Sequence, residues 1–179
     1  MRNLRMIEQF ECLKLFIEKN NLVFSTIPKN PQIFKEFRSI LLKREFSIKD
    51  SLLLFQGILG EGNGSTPESD DYIIGILCCF QIFKPEYDIS FLSVIPFEKF
   101  TTSKSSKLLR SVIRKRYPKE LQNFLNLLNK PSLSKRQINF FSSEIRKISQ
   151  IGASSGVNFL QGVFWEMDNI LHESNSIIS

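Results

Sequence analysis

The stretch Gly57-Ile58-Leu59-Gly60-Glu61-Gly62-Asn63-Gly64-Ser65-Thr66-Pro67-Glu68-Ser69-Asp70-Asp71 runs on into Tyr72-Ile73-Ile74-Gly75-Ile76-Leu77, and its reading decides the fold. Four of the chain's eight glycines fall at 57, 60, 62 and 64. Glycine costs backbone entropy, so a cluster of it points to positive φ or to close backbone approach. Apolar runs flank the cluster, Leu52 to Phe55 before it and Tyr72 to Phe80 after it. Thr66 reads as an N-cap with Pro67 at the first helical position, where a missing N–H does no harm. A helix is predicted from Pro67 to about Phe83, because Pro85 cannot continue it.

A glycine-rich loop that ends at a helix start presents free N–H groups and a partial positive charge, which suits an anion. Asp70 and Asp71 fall in the first turn, where adjacent carboxylates repel unless a cation, a donor or a proton separates them. They are the candidate catalytic pair, and the candidate ligands if a metal is bound. The plainer reading is a helix start whose acids suit the dipole, and chemistry alone weights the two evenly. No Gly-Lys-Ser/Thr follows, and no strong βαβ pattern surrounds the loop. That excludes a nucleotide-binding Walker loop and a dinucleotide fingerprint.

Outward from this stretch, apolar residues recur at helical spacing. Met6, Ile7, Phe10, Leu13, Phe16 and Ile17 predict a helix over 4–19. Leu22 to Ile27 reads as a short strand or connector. Pro31 opens a helix carrying Ile33, Phe34, Phe37, Leu41 and Leu42. Asp50 is expected to cap a short helix over 51–56. Residues 89–95 are ambiguous between a strand and a buried helical turn. Thr101-Thr102-Ser103-Lys104-Ser105-Ser106 is a dense run of hydroxyls leading into a basic helix predicted over 107–117. Hydroxyls plus cations at a helix start suit a phosphate or a carboxylate, and equally a simple capping cluster. Helices are predicted over 118–129 and, capped by Ser134, to about Ser149. Fraying is expected from about Glu173.

A second motif echoes the first. Gly152-Ala153-Ser154-Ser155-Gly156-Val157-Asn158-Phe159-Leu160-Gln161-Gly162-Val163 again joins small residues to an apolar helix. Asn158 and Gly162 are four apart, like Asp71 and Gly75, and so share a helix face. Tyr72-Ile73-Ile74 corresponds to Phe159-Leu160-Gln161, and Ile76 to Val163. The echo predicts two helices entering one centre from opposite sides; chance likeness of two capped apolar helices is the alternative.

The run Gly60 to Gly75, Gly-x-Gly-x-Gly-x-Thr-Pro-x-x-Asp-Asp-x-x-x-Gly, resembles the signature of the bacterial AllH-like family, a subunit of oxamate carbamoyltransferase. Ser65 and Ser69 depart from that family's Leu and Gly. The family's second signature is Gly-His-Thr-Ser-Gly-x-Asp-x-x-x-Gly. This chain keeps Gly152, Ser155, Gly156 and Gly162, with Ala153, Ser154 and Asn158 in place of His, Thr and Asp. Ala153 cannot move a proton as a histidine would. The only histidine, His172, reads as a surface residue. The family also carries a Thr/Ser-rich segment where Thr101 to Ser106 lie, and its extra N-terminal region is expected to be missing or shortened here. The resemblance implies a subunit binding a small anion of the carbamoyl phosphate or oxamate class, working with other protein subunits. Its implied ligand-binding residues are Gly62, Gly64, Thr66, Thr101, Thr102, Ser103, Ser155, Gly156 and Asn158. A non-catalytic paralogue that binds a small anion or scaffolds a partner is the alternative.

Composition bounds the rest. The 179 residues suit one domain, and the 17 phenylalanines against one tryptophan argue for a packed core. A net charge of +6 permits an anionic partner, but no zinc finger, RNA-recognition signature or long Arg-rich tract is present, so nucleic acid is not expected. Cys12, Cys78 and Cys79 are a poor disulfide framework and read as buried thiols of a reducing compartment. Charge comes too early for a signal peptide, and no run of about 18 apolar residues would span a membrane. The expectation is one mainly α, compact helical domain over 1–179, cytoplasmic, with about seven to nine helices and at most one or two short strands. No cofactor is assigned.

Overall fold

The structure is a computed structural model that describes residues 2–20, 31–43, 47–62 and 65–176. The described residues form eight α-helices and no strand. In chain order they are α1 (Arg2–Lys19), α2 (Pro31–Leu42), α3 (Ile48–Ile58), α4 (Glu68–Phe83), α5 (Ser103–Ile113), α6 (Lys119–Leu128), α7 (Lys135–Ser149) and α8 (Ser155–Ser176). The segment expected as a strand or connector, 22–27, lies outside the described residues. The ambiguous stretch at 89–95 is a 3-10 turn, Ser90–Val94, and a second one follows at Phe97–Lys99.

α4 is the axis of the molecule. Every residue from Ser69 to Gln81 is buried. A helix that is apolar all round can be satisfied only by neighbours on every side. Its main neighbour is α8, and the two form the largest interface between elements. They cross where each has a glycine. A Cβ at Gly75 would fall 2.1 Å from the carbonyl oxygen of Phe159, and one at Gly162 would fall 2.0 Å from that of Tyr72. The relation is reciprocal: Tyr72 matches Phe159, and Gly75 matches Gly162, as the sequence echo requires. Backbone therefore meets backbone, which only glycine permits.

Phenylalanine joins the outer helices to this pair. Phe10 of α1 stacks on Phe164 of α8 with ring centres 4.8 Å apart. Phe124 of α6 stacks on Phe141 of α7 at 5.2 Å and meets Phe159 of α8 edge-on at 6.0 Å. Phe55 of α3 meets both Phe37 of α2 and Phe97 edge-on at 5.6 Å. Such pairs contribute about 0.5–1.5 kcal/mol each beyond the area they bury.

Helix boundaries differ from expectation at several places. α4 begins at Glu68, with Pro67 in the cap position and no side-chain cap, because the Thr66 hydroxyl is engaged elsewhere. α3 begins at Ile48, two residues before Asp50, and extends to Ile58. α5 begins at Ser103, four residues early, because Thr102 Oγ1 accepts from the Ser105 N–H. It ends at Ile113: Lys115 turns to φ 58°, and the Lys115 and Arg116 N–H groups close back onto Val112 and Ser111. That is a Schellman closure with lysine where glycine is usual. α8 is helical to Ser176, and Glu173 pairs with Arg38 and Lys84. Ser134 caps α7 as expected, in a full capping box with Gln137.

Candidate functional site

Asp70 and Asp71 are adjacent on α4, so their side chains point about 100° apart around the helix. Asp70 turns towards the glycine loop. Its Oδ1 accepts from the Gly60 N–H at 2.9 Å, and its Oδ2 accepts from the Thr101 hydroxyl. Ser69 reinforces this: its hydroxyl accepts from the Glu61 N–H at 3.0 Å and donates to the Glu61 carbonyl at 3.1 Å. Burial pushes the Asp70 carboxyl up, and the Thr101 and Gly60 hydrogen bonds oppose it. Asp70 thus fastens the loop and the start of α5 to α4.

Asp71 turns the other way, into a cleft. It is buried at 6% exposure, and its Oδ2 has no hydrogen-bond partner. Burial pushes its carboxyl up to about 6, against the Ser155 and Thr66 hydroxyls, which favour the charged form. Asp70 raises it further and Lys104 draws it down. The Thr66 and Ser155 hydroxyls hydrogen-bond each other at 2.8 Å, joining the first glycine loop to the second across 89 positions of sequence. The two helix starts therefore meet beside Asp71.

The cleft has a volume of about 810 Å³. Its polar lining includes the cations Lys104 and Lys107, the carboxylates Asp71 and Glu120, and the hydroxyls of Ser65, Thr66, Ser154 and Ser155. Residues Gly152 to Gly156, the approach to α8, close one end, so the amino terminus of a long helix faces the space. Leu108, Leu121, Ile148, Ile151 and Phe159 form an apolar wall. Among the described residues no group of three or more His, Cys, Asp or Glu side chains is placed to hold a metal ion.

Of the residues singled out in the sequence, Thr66, Asp71, Ser155 and Gly156 line this cleft. Gly156 also has a packing task, since a Cβ there would fall 1.7 Å from the Ile148 carbonyl oxygen. Asp70 and Thr101 sit behind it, bonded to each other. Thr102 caps α5 and donates to the Ser65 carbonyl at 2.7 Å. Ser103 is exposed at the first position of α5. Gly62 is outside the cleft wall and takes φ 109° against the Glu68 backbone, so it shapes the turn. Gly64 lies outside the described residues. Asn158 is buried on α8 with an unpartnered amide nitrogen, and it is not part of the cleft wall. His172 is exposed, as expected.

Two features escaped the sequence reading. The apolar wall is one, because its residues stand at ordinary core spacing on four different elements. The other is a buried ion cluster. Arg38 donates through Nε to both oxygens of Glu166, at 3.1 and 2.9 Å, and also pairs with Glu173, which Lys84 meets at 3.1 Å. Burial pushes the Glu166 carboxyl up while Arg38 pulls it down. No local signal marks either charge as interior.

A family model described as oxamate carbamoyltransferase subunit AllH matches residues 58–167 of the chain. That span begins at the end of α3 and takes in both glycine motifs, the cleft and Glu166. No curated protein and no solved structure matches the chain.

Proposed function

We propose that this chain, which belongs to the AllH family of oxamate carbamoyltransferase subunits, binds a small anion of the carbamoyl phosphate or oxamate class in the cleft beside Asp71. One observation carries the reading: Lys104, Lys107 and the amino terminus of α8 line the same space as Asp71, a buried carboxylate with one unpartnered oxygen. The two ammonium groups and the helix start attract the anion. The Asp71 oxygen accepts a carbamoyl or amide N–H. Asp70, Thr101 and Thr102 fasten the first glycine loop and the start of α5 together. Positioning and electrostatics are the chemistry such a site offers, with other subunits completing it in the cytoplasm.

A second reading has its own support. Ala153 lines the cleft where the family's signature carries histidine. A chain without that proton carrier serves as a binding subunit, with proton transfer supplied by a partner or lost. Nucleic acid is not part of either reading. The cation most firmly placed on α5, Arg110, is committed to Glu98 at 2.8 Å and to the Phe97 ring at 5.4 Å.

Isothermal titration of the full chain with carbamoyl phosphate and with oxamate tests the proposal. Binding that weakens at least tenfold in Lys104→Ala/Lys107→Ala, with the melting temperature held, supports it. No heat from either compound, or binding indifferent to the double variant, refutes it.

A further inference from the structure

We infer that the cleft is built for an anion that carries both a hydrogen-bond donor and an apolar arm, the chemistry of an N-carbamoyl (ureido) acid with a hydrocarbon side chain. The inference rests on the anion-binding reading above and extends its ligand class to larger N-carbamoyl acids.

Size is the first argument. About 810 Å³ lies towards the upper end of ligand pockets, roughly 300–1,000 Å³. Oxamate and carbamoyl phosphate have no hydrocarbon to fill it. The second argument is the division of the lining. Lys104 and Lys107 belong to the polar lining, and one residue further along α5 Leu108 begins the apolar wall. Leu121, Ile148 and Phe159 continue that wall from α6, α7 and α8, and Ile151 from the connection between α7 and α8. Leu108 and Ile151 are only partly buried, whereas Leu121, Ile148 and Phe159 are buried. An anion held only at the lysines would leave Leu108 and Ile151 against water, and burying apolar ligand surface there is favourable. The third argument is Asp71. The residue is 6% exposed and its Oδ2 is buried without a hydrogen-bond partner, and leaving such an acceptor unpaired is costly. A ureido N–H supplies the missing donor. A carboxylate on the same ligand answers the lysines, and the side chain lies on the wall.

Titration calorimetry on the full chain tests this with three probes: N-carbamoyl-L-phenylalanine, N-carbamoylglycine and hydrocinnamate, which has the arm and the charge but no ureido group. N-carbamoyl-L-phenylalanine is expected to bind at least tenfold more tightly than either of the others. Leu108→Ser, at a half-buried position and with the melting temperature checked to be held, is expected to remove the preference over N-carbamoylglycine while Lys107→Ala weakens both. Equal affinity for the two carbamoyl amino acids overturns the apolar arm and leaves the anion-binding reading standing. Equal affinity for hydrocinnamate overturns the donor. Tight binding unchanged by Leu108→Ser and Lys107→Ala places the ligand elsewhere and overturns the inference. Failure of all three probes together with carbamoyl phosphate overturns it along with the function on which it rests.

Discussion

At the scale of single residues, Asp70 and Asp71 show how a repeated letter divides its labour. Asp70 spends both oxygens on Gly60 and Thr101, whereas Asp71 keeps one free beside the cleft. Asp71 takes a pKa of about 6, raised from 3.8 by burial. The folded protein therefore holds that proton more tightly than the unfolded chain. The benefit is complete below about pH 4 and is lost as pH rises through about 6. Asp71→Asn removes this dependence. Urea denaturation should show the variant gaining on the order of 2 kcal/mol relative to the parent between pH 4 and pH 7.5. Equal pH profiles would show that Asp71 is not held as described. Lys115 gives a second test. It occupies the left-handed position of the α5 closure at φ 58°. Lys115→Gly should stabilise the fold by about 1 kcal/mol in the same assay, because glycine carries no Cβ penalty there. The Arg38–Glu166 pair gives a third. Arg38→Ala leaves a buried carboxylate without its partner and should cost about 3–5 kcal/mol, whereas Arg38→Met with Glu166→Leu should cost much less. A single variant as stable as the parent would mean that the charge is not interior.

At the scale of elements, the α4–α8 crossing is the part most fully written in the sequence. The echo between Asp71–Gly75 and Asn158–Gly162 predicted two helices entering one centre, and the structure places Gly75 against Phe159 and Gly162 against Tyr72. A Cβ cannot fit 2.0 Å from a carbonyl oxygen, so Gly162→Ala must spread the helices. It should lower stability by about 3 kcal/mol or more, beyond the usual range for overpacking, because backbone rather than a side chain must move. Loss of under 1 kcal/mol would contradict the crossing. Helix ends were less legible. Thr66 has the chemistry of a cap, yet its hydroxyl bonds Ser155, a choice set by a residue 89 positions away. The start of α5 was legible in principle, since Thr102 has the same capping chemistry that correctly marked Ser134. The apolar wall was not, because Leu121 and Ile148 look the same in sequence whether a phenylalanine or a ligand covers them.

At the scale of the molecule, two glycine motifs brought together by α4 and α8 line a cleft that carries two lysines, two carboxylates and several apolar side chains. Among the described residues no helix is long and apolar enough to cross a membrane. The central claim is that this cleft, and not the cationic turn at Arg114 to Arg116, receives the anion. Amide proton–nitrogen correlation spectra recorded during a carbamoyl phosphate titration test it most directly. The account predicts saturable shifts confined to Thr66, Asp71, Lys104 to Leu108 and Gly152 to Gly156. Shifts centred on Arg114 to Arg116, or an unchanged spectrum, would contradict it.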